Sequence, residues 1–308
     1  MLLTILPLFI LIALGYGLRR FNVIKESWIT VLNTFVYYVS LPALIVTNLS
    51  SLTGQLLSPL LSIAVINFLI VVSFSILLFI VLAILPIGNK LKSSAFVAVI
   101  MGNTVYLGIP LVQNILSSSA SESLVGIVSI AGVTQLVTGM LVALIAIEFV
   151  YQKTRNWKLV TKHLVKNPLV ISTIVGISLS LVSLPTMYTQ IIETPISMIA
   201  ATASPLALIA VGGFLYSHNK FIYKELVALT STLKLFGMPL LAWFVYQSFN
   251  LPKITGASTI LMSAMPVAIT AFIIAESYKL DSRFVAMVML ATTIASFITI
   301  NFIASSAF

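Results

Sequence analysis

The sequence predicts an all-α polytopic membrane protein with ten transmembrane helices. Three observations predict this fold class: an apolar composition, a series of separate apolar runs, and basic residues confined to alternate loops. Hydrophobic residues make up 60% of the 308 residues and charged residues only 7%. A soluble domain carries about a quarter charged residues. The chain therefore lacks the polar surface that an aqueous environment requires.

Each apolar run is long enough for a membrane-spanning helix, which needs about 20 residues. No basic segment precedes the first run, and Arg19 and Arg20 follow it, which predicts a spanning helix and not a cleaved signal peptide. In order along the chain, the ten runs cover residues 1–18, 28–49, 58–86, 94–117, 122–151, 167–185, 193–217, 221–249, 256–278 and 283–306.

Basic residues cluster in the loops that follow the odd-numbered runs. These loops contain 14 of the 16 Lys and Arg residues, whereas the opposite loops contain only Lys253. Because cytoplasmic loops carry the excess of basic residues, both termini are predicted to be extracytoplasmic in a multi-pass protein of the plasma membrane. The net charge of +9 thus reflects topology, and we expect a lipid bilayer and no nucleic acid as the partner.

The longest loop divides the chain into two units of five helices each. Residues 1–151 form the first unit, 152–166 a basic cytoplasmic loop, and 167–308 the second unit. An odd number of spans per unit places the second unit in the opposite orientation, as in the inverted repeats of many transporters. The similarity of Ser40–Ile45 (SLPALI) to Ser204–Ile209 (SPLALI) supports such a duplication.

Two of the runs contain residues that interrupt helices. Gly102, Asn103, Gly108 and Pro110 lie in the fourth run, and Pro266 lies in the ninth. At 1.5 Å per residue, Gly102 and Pro266 lie about 12–15 Å into their runs, which is near the middle of a hydrocarbon core about 30 Å thick. Since lipid offers no hydrogen-bond partners, broken helices at that depth must contact protein or a cavity. We therefore expect the fourth and ninth helices to be broken and to cross near the midplane.

The residues around both breaks resemble the auxin efflux carrier family, which includes plant PIN-type carriers and many bacterial permeases of small organic acids. The resemblance rests on Gly102-Asn103-Thr104 with Gly108-Ile109-Pro110, and on Met265-Pro266-Val267-Ala268 followed by Ala271-Phe272 and Ala275-Glu276-Ser277-Tyr278. The short central loop is similar to that of bacterial members. The resemblance implies a scaffold of helices 1, 2, 6 and 7, often the surface of a homodimer, and a transport domain of helices 3–5 and 8–10.

The resemblance also assigns roles within the site. Asn103 takes the position of the family's substrate-site asparagine, and Pro266 that of the proline at the second break. Two residues depart from the family pattern: Val105 replaces a frequent glycine, and Thr270 a frequent asparagine. The identity of the cargo is therefore not implied by the fold.

An amide at the start of a half-helix suits an anion, because the amide donates hydrogen bonds and the helix N-terminus carries partial positive charge. For each candidate, ordinary helix packing or a simple kink is the alternative interpretation. The substrate-binding candidates are Asn103, Thr104, Tyr106, Pro266, Val267, Thr270, Ser40 and Ser204. The helix-break or hinge candidates are Gly102, Gly108, Pro110, Pro266, Pro42 and Pro205.

Two charged residues are candidates for burial within the membrane. Lys234 is the only basic residue well inside a run, and Glu276 lies in the stretch that resembles the family. Charges at such depth usually face protein or water. Lys234 is interpreted either as a partner for an anionic substrate or as a support for the transport domain.

These features predict a secondary transporter of a small organic anion, a mono- or dicarboxylate such as a malate-, malonate- or auxin-like acid, working by alternating access. Two alternatives stay open: a sodium- or proton-coupled symporter of bile-acid-like or neutral solutes, and a membrane receptor or sensor. Enzymatic motifs such as HExxH or a phosphate-binding glycine-rich loop are absent from the sequence, so no enzyme, cofactor or metal site is expected.

Overall fold

The computed structural model describes residues 2–50, 57–116, 122–151, 158, 161–162, 165–181, 186–217, 223–249 and 252–307. Regular structure within these ranges is helical, apart from an isolated antiparallel β-bridge. Most of the predicted central loop, residues 152–166, lies outside them.

The described residues of the first half of the chain form seven α-helices. They are α1 (Leu2–Arg20), α2 (Glu26–Phe35), α3 (Leu41–Ser50), α4 (Leu57–Ile84), α5 (Asn89–Ile100), α6 (Ile109–Leu116) and α7 (Glu122–Ile145). Wider π-helical turns interrupt or extend them: Val36–Ser40 joins α2 to α3, Thr104–Gly108 leads into α6, and Ala146–Tyr151 continues α7.

In the second half, eight α-helices lie within the ranges that the structure describes. They are α8 (Pro168–Ser180), α9 (Thr186–Ala201), α10 (Ala203–Ser217), α11 (Lys224–Thr232), α12 (Met238–Phe249), α13 (Lys253–Ser263), α14 (Ile269–Ser277) and α15 (Ser282–Ala307). A π-helical turn at Leu233–Gly237 joins α11 to α12, so that both form one long rod.

Six helical segments of the described chain are long and apolar enough to cross a membrane. They are Glu26–Ser50, Leu61–Ile84, Leu124–Tyr151, Ile191–Phe214, Lys224–Phe249 and Ser282–Ser305, and two shorter apolar helices cover Thr104–Leu116 and Pro168–Ser180. Their outward faces carry large aliphatic side chains, such as Ile298 at 73% exposure. An apolar exterior of this kind suits lipid and not water, as the composition predicts.

The helices pack in two groups. In the first group, α1 packs against α10, α10 against α2, and α3 against both α8 and α9. In the second, α7 packs against α4 and α13, α12 against α13, and α15 against α5, α11 and α14. The two groups also touch, for example where α1 meets α6 and where α3 meets α7.

Glycines let α1 and α10 approach closely. A Cβ atom built on Gly15 would overlap the carbonyl oxygen of Ile209, and one built on Gly212 would overlap that of Ile12. The sequence predicts such close packing at these glycines, and the structure confirms it at Gly15 and Gly212. The same expectation is wrong for Gly17, which has no atom within 4 Å of a built Cβ.

Irregular turns in two helices of the first group meet one another. Ser40 ends the π-helical turn before α3, and Thr202 is the non-helical residue between α9 and α10. Their hydroxyl oxygens are 2.8 Å apart and share a hydrogen bond. The segments that carry the similar SLPALI and SPLALI sequences are thus joined at their starts.

Candidate functional site

Helical structure stops and restarts at both positions where the sequence places helix-breaking residues. The first interruption covers Met101–Asn103, between α5 and the turn that leads into α6. The second covers Ala264–Ala268, between α13 and α14.

The two interruptions pair with each other through main-chain atoms. Gly102 and Val267 form an antiparallel bridge. The amide of Asn103 donates to the carbonyl of Pro266 at 2.6 Å, and the amide of Ala268 donates to the carbonyl of Met101 at 2.9 Å. Peptide groups that the breaks free from helical bonding therefore bond across the crossing, which an apolar surrounding requires.

Side chains also support this crossing. The amide of Val267 donates to the hydroxyl of Thr292 at 3.1 Å. Thr104 donates its hydroxyl to the carbonyl of Gly132 at 2.7 Å, which ties the restart of the fourth span to α7. A Cβ on Gly108 would lie 2.8 Å from Met262 Sδ, so glycine permits the contact between the two broken spans.

Asn103 stands at the N-terminus of the restarted helix. Its carbonyl accepts hydrogen bonds from the amides of Leu107 and Gly108, but its side chain makes no capping bond. The first amide groups of a helix have no intrahelical partner. Two helices therefore place the positive end of their dipole beside the crossing: one begins at Thr104 and the other at Ile269.

Two polar side-chain atoms next to the breaks are buried without a partner among the described residues. These are Oδ1 of Asn103 and Oγ1 of Thr270. Asn103 is only 4% exposed. Buried polar atoms are normally hydrogen-bonded, so Asn103 Oδ1 keeps an unused acceptor and the Thr270 hydroxyl an unused donor and acceptor.

A cavity of about 780 Å³ reaches the crossing, a volume typical of small-molecule sites. Met101 and Thr270 line it next to the breaks, and Lys162 and Lys166 line it from the basic central segment. Apolar and aromatic side chains from both packing groups complete the wall, among them Met140, Phe214 and Phe272.

Of the eight substrate-binding candidates, all within the described residues, Thr270 alone lines this cavity. Five others lie at the crossing itself: Asn103, Thr104, Tyr106, Pro266 and Val267 are all at or directly after a break. Ser40 is buried and bonded to Thr202, and Ser204 is half-buried at the start of α10. The structure therefore places these two serines in the first packing group and away from the cavity wall.

The hinge candidates occupy related positions. Pro110 is the second residue of α6, Pro42 the second of α3, and Pro205 the third of α10. Pro205 lies in the first turn of α10, where a missing N–H does not remove an intrahelical bond. Pro42 and Pro110 instead come two residues after a π-helical turn that is continuous with their helix, so each removes a main-chain hydrogen bond to that turn. Gly102 and Pro266 lie in the paired main-chain segments described above.

The two charged candidates differ in what the structure describes. The side chain of Lys234 is fully buried, and its Nζ donates to the carbonyl of Ser263 at 3.4 Å. The side chain of Glu276 lies outside the described residues. Beside Ser263, Gln135 donates to Ser263 Oγ at 2.9 Å and to Asn67 Oδ1 at 2.7 Å, which links α7, α13 and α4.

Sequence reasoning missed a polar wall of the cavity. Thr30, Asn33, Thr34 and Tyr37 of the second span line it, together with Asn167 at the start of α8. Their spacing of three, four and seven residues from Thr30 places them on one helix face. A stripe of polar residues along one face of a predicted spanning segment is therefore the sequence signal that could have identified this wall.

Comparison with known proteins agrees with the geometry. A family model described as "Membrane transport protein" matches residues 1–304. An uncharacterized transporter of Methanocaldococcus jannaschii is 23% identical over 302 residues, with 96% of each chain covered. An uncharacterized transporter of Methanothermobacter thermautotrophicus is 26% identical over 300 residues, covering 96% of this chain and 95% of its own. The resemblance to auxin efflux carriers is confirmed along the whole chain, and this multi-pass membrane protein belongs to the membrane transport protein family.

Proposed function

We propose that this protein is a secondary carrier of a small organic anion, a mono- or dicarboxylate, that works by alternating access. The observation that carries the proposal is the main-chain pairing of Gly102 with Val267. This pairing holds two helix N-termini together beside a cavity, and N-terminal dipoles bind anions without a fixed counter-charge.

The proposed binding position lies between the start of the helix at Thr104 and the start of α14. There the cargo carboxylate accepts hydrogen bonds from the side-chain Nδ2 of Asn103 and from free main-chain N–H groups at the helix start. The Thr270 hydroxyl, which has no partner among the described residues, donates another. The polar stripe of the second span contacts the rest of the cargo.

In this proposal the two packing groups correspond to the two moving parts. The scaffold consists of α1–α3 and α8–α10, which are spans 1, 2, 6 and 7 of the ten predicted from the sequence. The transport domain consists of α4–α7 and α11–α15, which are spans 3–5 and 8–10. Inverted repeats of this kind place the substrate at the repeat interface, near the bilayer midplane. A homodimer would form through the scaffold helices.

The cavity suggests which side the site faces in this conformation. Lys162 and Lys166 line it, and the positive-inside rule assigns their loop to the cytoplasm. We therefore propose that the conformation is open to the cytoplasm and that both lysines raise the local concentration of anions.

Counterflow in proteoliposomes tests the proposal. Vesicles loaded with malate, malonate or indole-3-acetate should accumulate the same radiolabelled acid, and Asn103→Ala should raise the KM about 10- to 100-fold, the effect of losing a hydrogen bond to a charged group. Asn301→Ala is the matched control, since the Asn301 amide bonds within its own helix to Phe297.

Two results would contradict the proposal. Unchanged transport kinetics in Asn103→Ala would show that the Asn103 side chain does not bind the cargo. Saturable binding of these acids without any flux would indicate a receptor instead of a carrier.

A further inference from the structure

Lys234 is a fully buried cation in the middle of the rod formed by α11 and α12. It lies in the π-helical turn Leu233–Gly237 and has 0% exposure. Its Nζ donates to Met238 Sδ at 3.2 Å and to the carbonyl of Ser263 at 3.4 Å. Ser263 is the last residue of α13, so the ammonium group contacts the C-terminus of one broken span.

The same ammonium group lies against the other broken span. A Cβ atom built on Gly102 would be 2.8 Å from Lys234 Nζ and 3.3 Å from Lys234 Cε. Gly102 follows the last residue of α5, Ile100, by two positions. Lys234 Nζ therefore stands where α5 and α13 both end, in contact with each break.

Helix dipoles account for a positive charge at this place. The C-terminal end of an α-helix carries about half a negative elementary charge, and two such ends meet at the crossing. Among the described residues, the ion pair that the structure contains joins Arg19 to Glu26, and no carboxylate oxygen lies within 4.0 Å of Lys234 Nζ. The carbonyl ends of α5 and α13 thus compensate a charge that would otherwise be costly to bury.

Carriers with interrupted helices commonly place a sodium ion or a proton at such carbonyl ends. We propose that Lys234 is a built-in cation that replaces the soluble one. Its ammonium group holds the C-termini of α5 and α13 together in every conformation, and anion binding at the opposite N-termini consequently needs no sodium. This inference rests on the proposed function for its second part, while the role of the charge at the crossing is independent of any cargo.

The charge is tested by two substitutions of Lys234. Lys234→Met keeps most of the side-chain volume and removes the ammonium group, and Lys234→Ala leaves a space for a small cation. Lys253→Met is the matched control, because Lys253 is an exposed lysine at the start of α13. We expect Lys234→Met to melt well below the wild type in detergent, whereas Lys253→Met melts with the wild type.

Rescue by a soluble cation separates charge from packing. In methylammonium chloride, the melting temperature of Lys234→Ala should rise part of the way to the wild-type value. The rate of malate counterflow by this variant should rise at least severalfold. Choline chloride of equal concentration should not restore either, since choline is too large for the space. Wild-type counterflow should be equal in sodium chloride and in choline chloride.

The proposal is overturned if Lys234→Met melts and transports like the wild type, if methylammonium acts no better than choline, or if wild-type counterflow requires sodium. If Lys234→Ala cannot be purified, the melting curve of Lys234→Met and the comparison of wild-type counterflow in sodium and choline chloride still test the proposal. Absence of malate counterflow in the wild type, together with methylammonium rescue of the melting temperature, would contradict the carrier function and leave the cation role standing.

Discussion

At the scale of single residues, the site distinguishes polar groups that hold the fold from polar groups that are free for a ligand. Thr104 and Thr270 occupy comparable positions just after the two breaks. The Thr104 hydroxyl donates to the carbonyl of Gly132. The Thr270 hydroxyl is buried, lines the cavity and has no partner among the described residues.

This contrast predicts opposite effects for two identical substitutions. Thr270→Val should leave the melting temperature unchanged or raise it, because it removes a buried unpaired oxygen, while raising the KM for the carboxylate by up to about tenfold. Thr104→Val should lower the melting temperature, because it removes the hydroxyl bond to the Gly132 carbonyl that ties the helix start at Thr104 to α7. Melting curves and counterflow of both variants check this; a destabilised Thr270→Val with normal KM would contradict it.

Some of these residues were identifiable from the sequence and others were not. Asn103 and Pro266 stand out because each lies near the middle of its apolar run, and Asn103 is flanked by Gly102 and followed by Gly108 and Pro110. Lys234 stands out as the only basic residue deep in a run. Its contact with Gly102, however, depends on how three distant spans pack, and no local pattern encodes that.

At the scale of elements, each break is stable because the other one is present. The bonds from Asn103 to Pro266 and from Ala268 to Met101 replace bonds that either helix loses alone. Glycine and proline predict where the helices stop. The π-helical turns at Val36–Ser40 and Leu233–Gly237 each end two residues before a proline, Pro42 and Pro239. A proline lacks the N–H that closes the preceding turn, so proline is a local signal for these turns as well.

The contact between α1 and α10 gives a second prediction. Gly15→Ala should strongly lower the melting temperature, because its Cβ would overlap main-chain atoms of Ile209, which cannot move aside like a side chain. Overpacking of this kind costs about 1–3 kcal/mol and occasionally more. Gly17→Ala, in the same helix with nothing within 4 Å, is the control. Equal melting temperatures for the two variants would show that α1 and α10 do not pack as described.

At the scale of the whole molecule, the proposed cycle predicts which distances between helices change and which stay constant. Helices within a group should keep their mutual distances, while distances between groups should change when the site alternates. The Ser40–Thr202 bond lies within one group, and the Gly102–Val267 pairing lies within the other. In the proposed cycle, each pair of irregular turns would therefore move as part of one body.

Spin labels test this division, and the absence of cysteine from the sequence allows labels at chosen sites only. Positions 171, 199, 76 and 298 are exposed isoleucines, the first two in the proposed scaffold and the last two in the proposed transport domain. In nanodiscs, malate should shift the distance between labels at 171 and 298. The distances 171–199 and 76–298 should stay constant, and a shift within either pair would contradict rigid-body movement.

The pairing between the two breaks uses main-chain atoms alone. A hydrogen bond from one backbone to another survives any side-chain replacement that fits the local space. Val105 and Thr270, the two positions at which the sequence departs from the pattern it resembles, lie beside that pairing without taking part in it. In the proposed carrier, substitutions at these positions would change the cargo preference while the main-chain pairing that presents the cargo persists.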